Sequence, residues 1–141
     1  MIEPEKLREA IRYSEVFKGI SREQEILVLS LCREAAFEEG AKIYTRGDAA
    51  DSCFLLIVSG EAVVLNKQEE PFATVGKGGV LGEIGYVNPQ HKRVATVVAA
   101  GEVLCGRFDM EKLKQKNAAL YELLLLRLEN ISWSRIVESD L

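Results

Sequence analysis

Glycine divides this chain into three parts, and that division constrains the fold more than any other feature. Gly19 is the only glycine in residues 1–36, residues 37–108 hold all the others, and after Asp109 neither glycine nor proline occurs. Glycine weakens helix interiors and favours tight turns. The two ends therefore read as helical and the middle as short strands. Leu7 and Ile11, one helical turn apart, begin an apolar stripe. Val16-Phe17-Lys18-Gly19-Ile20 breaks it, and Ser21 with Gln24 makes a capping-box start that Ile26, Leu27, Leu29 and Leu31 continue.

In the middle, strands are expected over 41–44, 53–58, 61–65, 72–75, 95–99 and 103–108, mostly bounded by turn residues. Ser59-Gly60 is a two-residue link of hairpin type. Gly40, Gly47 and Gly60 fit corners that need positive φ, and Gly76-Lys77-Gly78-Gly79 fits a structural turn. The latter lacks the lysine-then-hydroxyl ending of a nucleoside-triphosphate loop. Asp109 is a candidate N-cap for a helix through Lys116, with a longer helix over 117–138. That last helix is apolar on most sides between Leu120 and Leu128, so it should pack on the barrel and also meet a ligand or a second copy. The expectation is mainly β with flanking α: an antiparallel jelly-roll barrel with N-terminal helices and two C-terminal helices. It is read as one domain, 1–141, divided into helical 1–36, barrel 37–108 and C-terminal helices 109–138.

The composition, 48% hydrophobic and 28% charged, is that of an ordinary globular protein. The net charge of −4 argues against nucleic acid or an anionic membrane as partner. Met1-Ile2-Glu3-Pro4-Glu5-Lys6 is too charged for a signal peptide. The apolar runs 53–58 and 123–126 are too short to cross a bilayer. Cys32, Cys53 and Cys105, odd in number and scattered in apolar stretches, read as buried hydrophobes in a reducing cytoplasm. With His91 as the only histidine, a metalloenzyme of the cupin kind, whose sites usually need two or three, is not expected, and no metal is expected.

Chemistry concentrates in Leu81-Gly82-Glu83-Ile84-Gly85-Tyr86-Val87-Asn88-Pro89-Gln90-His91-Lys92-Arg93-Val94-Ala95-Thr96. A glycine turn and a carboxylate open a short helix, and an arginine follows ten residues after that carboxylate. A helix start offers unpaired N–H groups to a phosphate, and an arginine adds a planar fork of donors. The carboxylate can accept from sugar hydroxyls. Together they describe a pocket for a small phosphorylated sugar. Taken singly, Arg93 also fits a strand-edge charge and Glu83 a helix-cap acid.

Four pieces in order resemble the cyclic nucleotide-binding domains of catabolite activator protein, kinase regulatory subunits and gated channels. They are Phe17-Lys18-Gly19-Ile20; Phe37-Glu38-Glu39-Gly40 through Ile43 with Gly47-Asp48 and Asp51; Phe54-Leu55-Leu56-Ile57-Val58-Ser59-Gly60 with Val63; and Gly82-Glu83-Ile84-Gly85 with Arg93-Val94-Ala95-Thr96. The resemblance implies a phosphate-binding cassette whose ligand-binding residues are Gly82, Glu83, Ile84, Gly85, Arg93, Val94 and Ala95. In it Arg93 pairs with the cyclic phosphate, Glu83 accepts the ribose 2′-hydroxyl and Gly82 lets the backbone approach. It also implies a lid over the base from the last helix, with Arg127, Asn130 and Trp133 as candidates.

Two positions depart from the pattern: Leu81 stands where phenylalanine is frequent, and Val94 where a serine or threonine can add a hydroxyl. The absence of threonine leans toward cyclic AMP over cyclic GMP. The expected function is a cytoplasmic, non-enzymatic sensor with no cofactor, signalling through movement of its C-terminal helices. Its partners would be the cyclic nucleotide and a homodimer through the C-terminal helix or an effector protein. The alternative is a non-binding barrel used for dimerisation or docking. A complete activator-type transcription factor is not expected, since no helix-turn-helix module follows the last helix.

Overall fold

The computed structural model describes the chain apart from Met1, Ile84, Gly85, Val87, Pro89, Asp140 and Leu141, and for residues 133–139 the backbone alone. Two helices lead: α1 (Pro4–Tyr13) and α2 (Arg22–Leu31). Eight strands follow: β1 (Arg33–Phe37), β2 (Lys42–Tyr44), β3 (Cys53–Ser59), β4 (Ala62–Leu65), β5 (Pro71–Val75), β6 (Val80–Leu81), β7 (Val97–Ala99) and β8 (Val103–Asp109). Helices α3 (Met110–Lys116) and α4 (Ala118–Ser139) close the chain. The strands form two four-stranded antiparallel sheets, ordered β1-β8-β3-β6 and β2-β7-β4-β5. This is the jelly-roll arrangement with flanking helices that the sequence led us to expect.

The middle strand β3 explains how both halves share one core. Its run Phe54-Leu55-Leu56-Ile57-Val58 is apolar throughout because both faces are buried. Leu55 and Ile57 join Ile43, Ala62, Leu81, Val97 and Cys105 between the sheets. Phe54, Leu56 and Val58 turn the other way, toward Ile11, Val28, Leu113 and Leu124 of the helices. On that side Phe17, Phe54 and Phe108 form a triad with ring centroids 5.1–6.0 Å apart. Helix α4 buries Leu120, Tyr121, Leu124 and Leu128, leaving Leu126 56% exposed on its outer side.

The helical N-terminal part is shorter than 1–36. Cys32 ends α2 in extended conformation, and Arg33–Phe37 pairs with β8 from Arg33↔Arg107 to Phe37↔Val103. Arg-Glu-Ala-Ala reads locally as helix, and the free edge of β8 overrides that preference. The two-residue β6 was also not foreseen; it exists because Leu55 and Leu56 of β3 pair with Leu81 and Val80. Ser21 and Gln24 form the reciprocal capping box anticipated.

At the hairpin link, Gly60 has φ +87°, and a Cβ there would stand 2.2 Å from the Glu102 carbonyl oxygen. Only glycine fits both constraints. The glycine-rich stretch at 76–79 is a turn pinned to β3, with Gly78 N–H on the Ile57 carbonyl and Ile57 N–H on the Gly79 carbonyl. The three cysteines are free. Burial pushes the Cys32 thiol up to about 11 and that of Cys105 up to about 12, the behaviour of inert core thiols. Among the described residues no helix is long and apolar enough to cross a membrane.

Asp109 caps α3, its carboxylate accepting from Glu111 N–H and from the Ser52 hydroxyl at 2.7 Å. Burial raises its pKa, but the bonds from Ser52, Glu111 and Lys112 outweigh this and hold it below the ordinary value. A depressed carboxyl contributes stability above its unfolded pKa of about 3.9 and loses it as pH falls through the lower folded value. Asp109→Ala should cost about 1 kcal/mol at neutral pH. In urea titrations the gap to wild type should close as the pH drops below about 4; a gap that stays constant there would show that the charge contributes nothing.

Candidate functional site

Backbone pairing presents the second half of the cassette to the loop after β2. Arg93 N–H donates to the Asp48 carbonyl and Gly47 N–H to the Arg93 carbonyl, each at 2.8 Å, while Ala50 N–H reaches the His91 carbonyl at 2.7 Å. His91 takes a positive φ of 51° at this corner. The two-sided clamp fixes where the Arg93 side chain starts, and that side chain is buried, only 7% exposed.

Three groups hold the guanidinium. Nη1 donates to the Gly82 carbonyl at 3.1 Å and Nη2 to Asp51 Oδ1 at 3.3 Å. Its plane lies over the Tyr44 ring, 3.8 Å from the centroid, within cation–π range. Arginine carries five N–H donors in a rigid fork, so these contacts orient it without exhausting it. Burial pushes the Tyr44 phenol above its usual range despite the nearby guanidinium, so at neutral pH it stays a neutral platform.

Gly82 sits where β6 turns into the cassette, with φ +84°. A Cβ there would lie 2.4 Å from Tyr44 Oη and 2.9 Å from Arg93 Nη1. Glu83 follows in helical conformation, 1% exposed, and Tyr86 N–H reaches back to the Gly82 carbonyl at 3.3 Å. The Gly82 carbonyl thus serves the guanidinium and the first helical turn together. Gly82→Ala should force Tyr44 and Arg93 apart and lower stability by about 1–3 kcal/mol. An unchanged thermal midpoint would refute the crowding.

Asp51 is shared. Its Oδ1 also accepts Cys53 N–H at 2.9 Å, and its Oδ2 takes Arg107 Nη2. One half-exposed carboxylate therefore serves two guanidiniums. The arrangement suits a singly charged anion with several acceptor oxygens.

The structure gathers Gly82, Glu83 and Arg93 at this place, with Ala95 buried and Val94 half-buried on the following stretch. Ile84 and Gly85 lie outside the described residues, as does the side chain of Trp133. Arg127 is committed elsewhere: its Nη1 donates to the carbonyls of Val16, at 3.0 Å, and Lys18. Asn130 is exposed on α4. Sequence reasoning assigned no site role to Tyr44, Asp51 or Arg107. Asp51 stands in a quoted motif, but nothing in the linear order joins it to Arg93, 42 residues away.

The profile of the family described as "Cyclic nucleotide-binding domain" matches residues 34–118, and the chain belongs to this family. Solved structures share the fold. A cyclic nucleotide-binding domain from Methylobacillus flagellatus superposes with a TM-score of 0.79 at 24% identity, covering 96% of this chain and 79% of that one. The catabolite activator protein of Thermus thermophilus gives 0.73 at 25% identity, with 90% and 60% covered. The regulatory domain of Toxoplasma gondii PKA, crystallised with cAMP, gives 0.70 at 20% identity, with 86% and 48% covered. This chain thus spans about three fifths of the first of the latter two and just under half of the second.

Proposed function

We propose that this chain is a non-catalytic regulatory module that binds a 3′,5′-cyclic nucleotide, cyclic AMP in preference to cyclic GMP, at the Gly82–Glu83 turn and Arg93. The supporting observation is the buried Arg93 guanidinium, held over the Tyr44 ring and aimed by Gly82 and Asp51 beside the fully buried Glu83. A cyclic phosphate would take the remaining guanidinium donors, the ribose 2′-hydroxyl would donate to Glu83, and Ile84, Gly85, Val94 and Ala95 would line the remainder. Val94 supplies no hydroxyl to a guanine, which favours adenine. The preparation of the Toxoplasma relative with cAMP agrees with this choice.

Signalling through the C-terminal helices has a physical route. Tyr86, three residues after Glu83, shares a 2.9 Å hydroxyl contact with Tyr121 of α4 and donates to Glu111 of α3. A ligand that moves the cassette therefore pulls on both helices. A lid by Arg127, Asn130 and Trp133 would require Arg127 to release the Val16 and Lys18 carbonyls, which links base capture to helix movement. The exposed Leu126 on α4 favours a homodimer or an effector protein as the recipient, and is also the observation behind the alternative of a barrel kept only for docking.

The test is calorimetric titration of stripped protein with each cyclic nucleotide. Cyclic AMP should bind at micromolar affinity or tighter, and cyclic GMP more weakly. No heat from either would leave only the docking alternative standing.

A further inference from the structure

On the other side of Asp51 from Arg93 lies a second cleft of about 380 Å³, lined by the cations Arg33 of β1, Arg107 of β8 and Lys112 of α3 together with Cys53 and the carboxylates of Glu34 and Asp109. Its volume is in the range of small-molecule sites. The register makes Arg33 and Arg107 direct cross-strand neighbours. Like charges so placed repel, and only Arg107 has a carboxylate to offset this. Among the described residues Arg33 takes part in no ion pair, while Lys112 interacts with Asp109 through its charge and its backbone N–H. Glu34 accepts the Ile2 N–H, and Asp109 caps α3 and takes the Ser52 hydroxyl; both keep their charge, so the three cations of the lining exceed its two carboxylates by one.

We propose that this cleft is a second anion site, taking a phosphate-bearing small molecule, and that its occupancy is relayed to Arg93 through Asp51. Three cations from three separate elements converge on one volume, as a tetrahedral set of phosphate oxygens requires and a single planar carboxylate does not. A phosphate seated on Arg33 and Lys112 draws the Arg107 fork toward itself and away from Asp51 Oδ2. Asp51 is then left to Arg93 and the Cys53 N–H alone, so it pairs more fully with Arg93. The two anion sites would therefore compete through one carboxylate. This goes beyond cyclic nucleotide binding and does not rest on it, since the cleft is assigned from its own residues.

The test uses pyrophosphate titrated into the stripped protein, without cyclic nucleotide. Binding is followed by calorimetry and by the side-chain Nε–Hε signals of Arg93 and Arg107. Arg33 and Lys112 are exposed, so the Arg33→Ala/Lys112→Ala variant should fold normally, and its affinity for pyrophosphate should be weaker by on the order of tenfold or more. Arg33→Glu should reduce it further. Both arginine signals should shift together in wild type, and the Arg93 signal should cease to respond in Asp51→Asn. Equal affinity in wild type and the double variant, no binding at all, or binding lost in Arg93→Ala would overturn the site. Tighter binding of a short glutamate peptide than of pyrophosphate would overturn the phosphate assignment, and a static Arg93 signal would overturn the relay.

Discussion

Arg93→Ala should weaken cyclic nucleotide binding by on the order of 100-fold or more, the largest functional effect expected from any single change in this chain. Charge-assisted hydrogen bonds contribute about 1.5–3 kcal/mol each, and a bidentate fork supplies two. The loss should not reflect unfolding. Asp51 keeps Arg107 as a partner when Arg93 is removed, and Tyr44 retains the packing of its own strand. The informative companion is Arg93→Lys. Lysine preserves the charge but has no planar fork, so it cannot meet the Gly82 carbonyl, Asp51 and a ligand together. It should fall between wild type and alanine. Calorimetry of the three proteins, with thermal melts confirming that each is folded, decides the matter. Alanine and wild type binding with equal affinity would remove Arg93 from the site, and lysine matching wild type would reduce its role to simple attraction.

Much of this arrangement was legible in the chain because local chemistry and global fold agree over most of it. The apolar run in β3, the turn glycines, the Ser21 capping box and the Asp109 cap are all short-range signals, and each element formed where its residues favoured it. Arg33–Ala36 falls in the stretch read as helical because its own residues favour helix; its strand state depends on β8, about seventy residues later, offering an edge. Leu81 was read as cassette, and its second role as β6 partner of Leu55 needs the register of β3. At the site, Gly82, Glu83 and Arg93 lie close together in sequence and stand out as a pattern. Tyr44, Asp51 and Arg107 come from β2, a loop and β8, and only the closed sandwich sets Tyr44 and Asp51 around the Arg93 guanidinium and brings Arg107 to Asp51. Their side chains carry no periodicity that a linear reading could detect.

Phe54→Ala should have the largest effect on stability, about 3–5 kcal/mol. Phe54 is completely buried in the triad, 6.0 Å from Phe17 and 5.4 Å from Phe108 by ring centroids. Truncation removes the transfer energy of the ring and leaves a cavity that β3, paired on both sides by β8 and β6, cannot collapse to fill. Total stabilities of about 5–15 kcal/mol place such a variant near its threshold, so the urea midpoint should fall sharply while Phe54→Leu loses only part as much. A change below about 1 kcal/mol would show that the triad is not packed as described. The consequence should also reach the C-terminal helix. Phe17 lies between Val16 and Lys18, whose carbonyls hold Arg127 of α4, and Phe54 is one of the two rings against which Phe17 packs. Hydrogen exchange at residues 16–20 and along α4 should therefore quicken in Phe54→Ala before the strands of the β2-β7-β4-β5 sheet respond. That sheet buries its side chains in the other cluster, away from the aromatic triad.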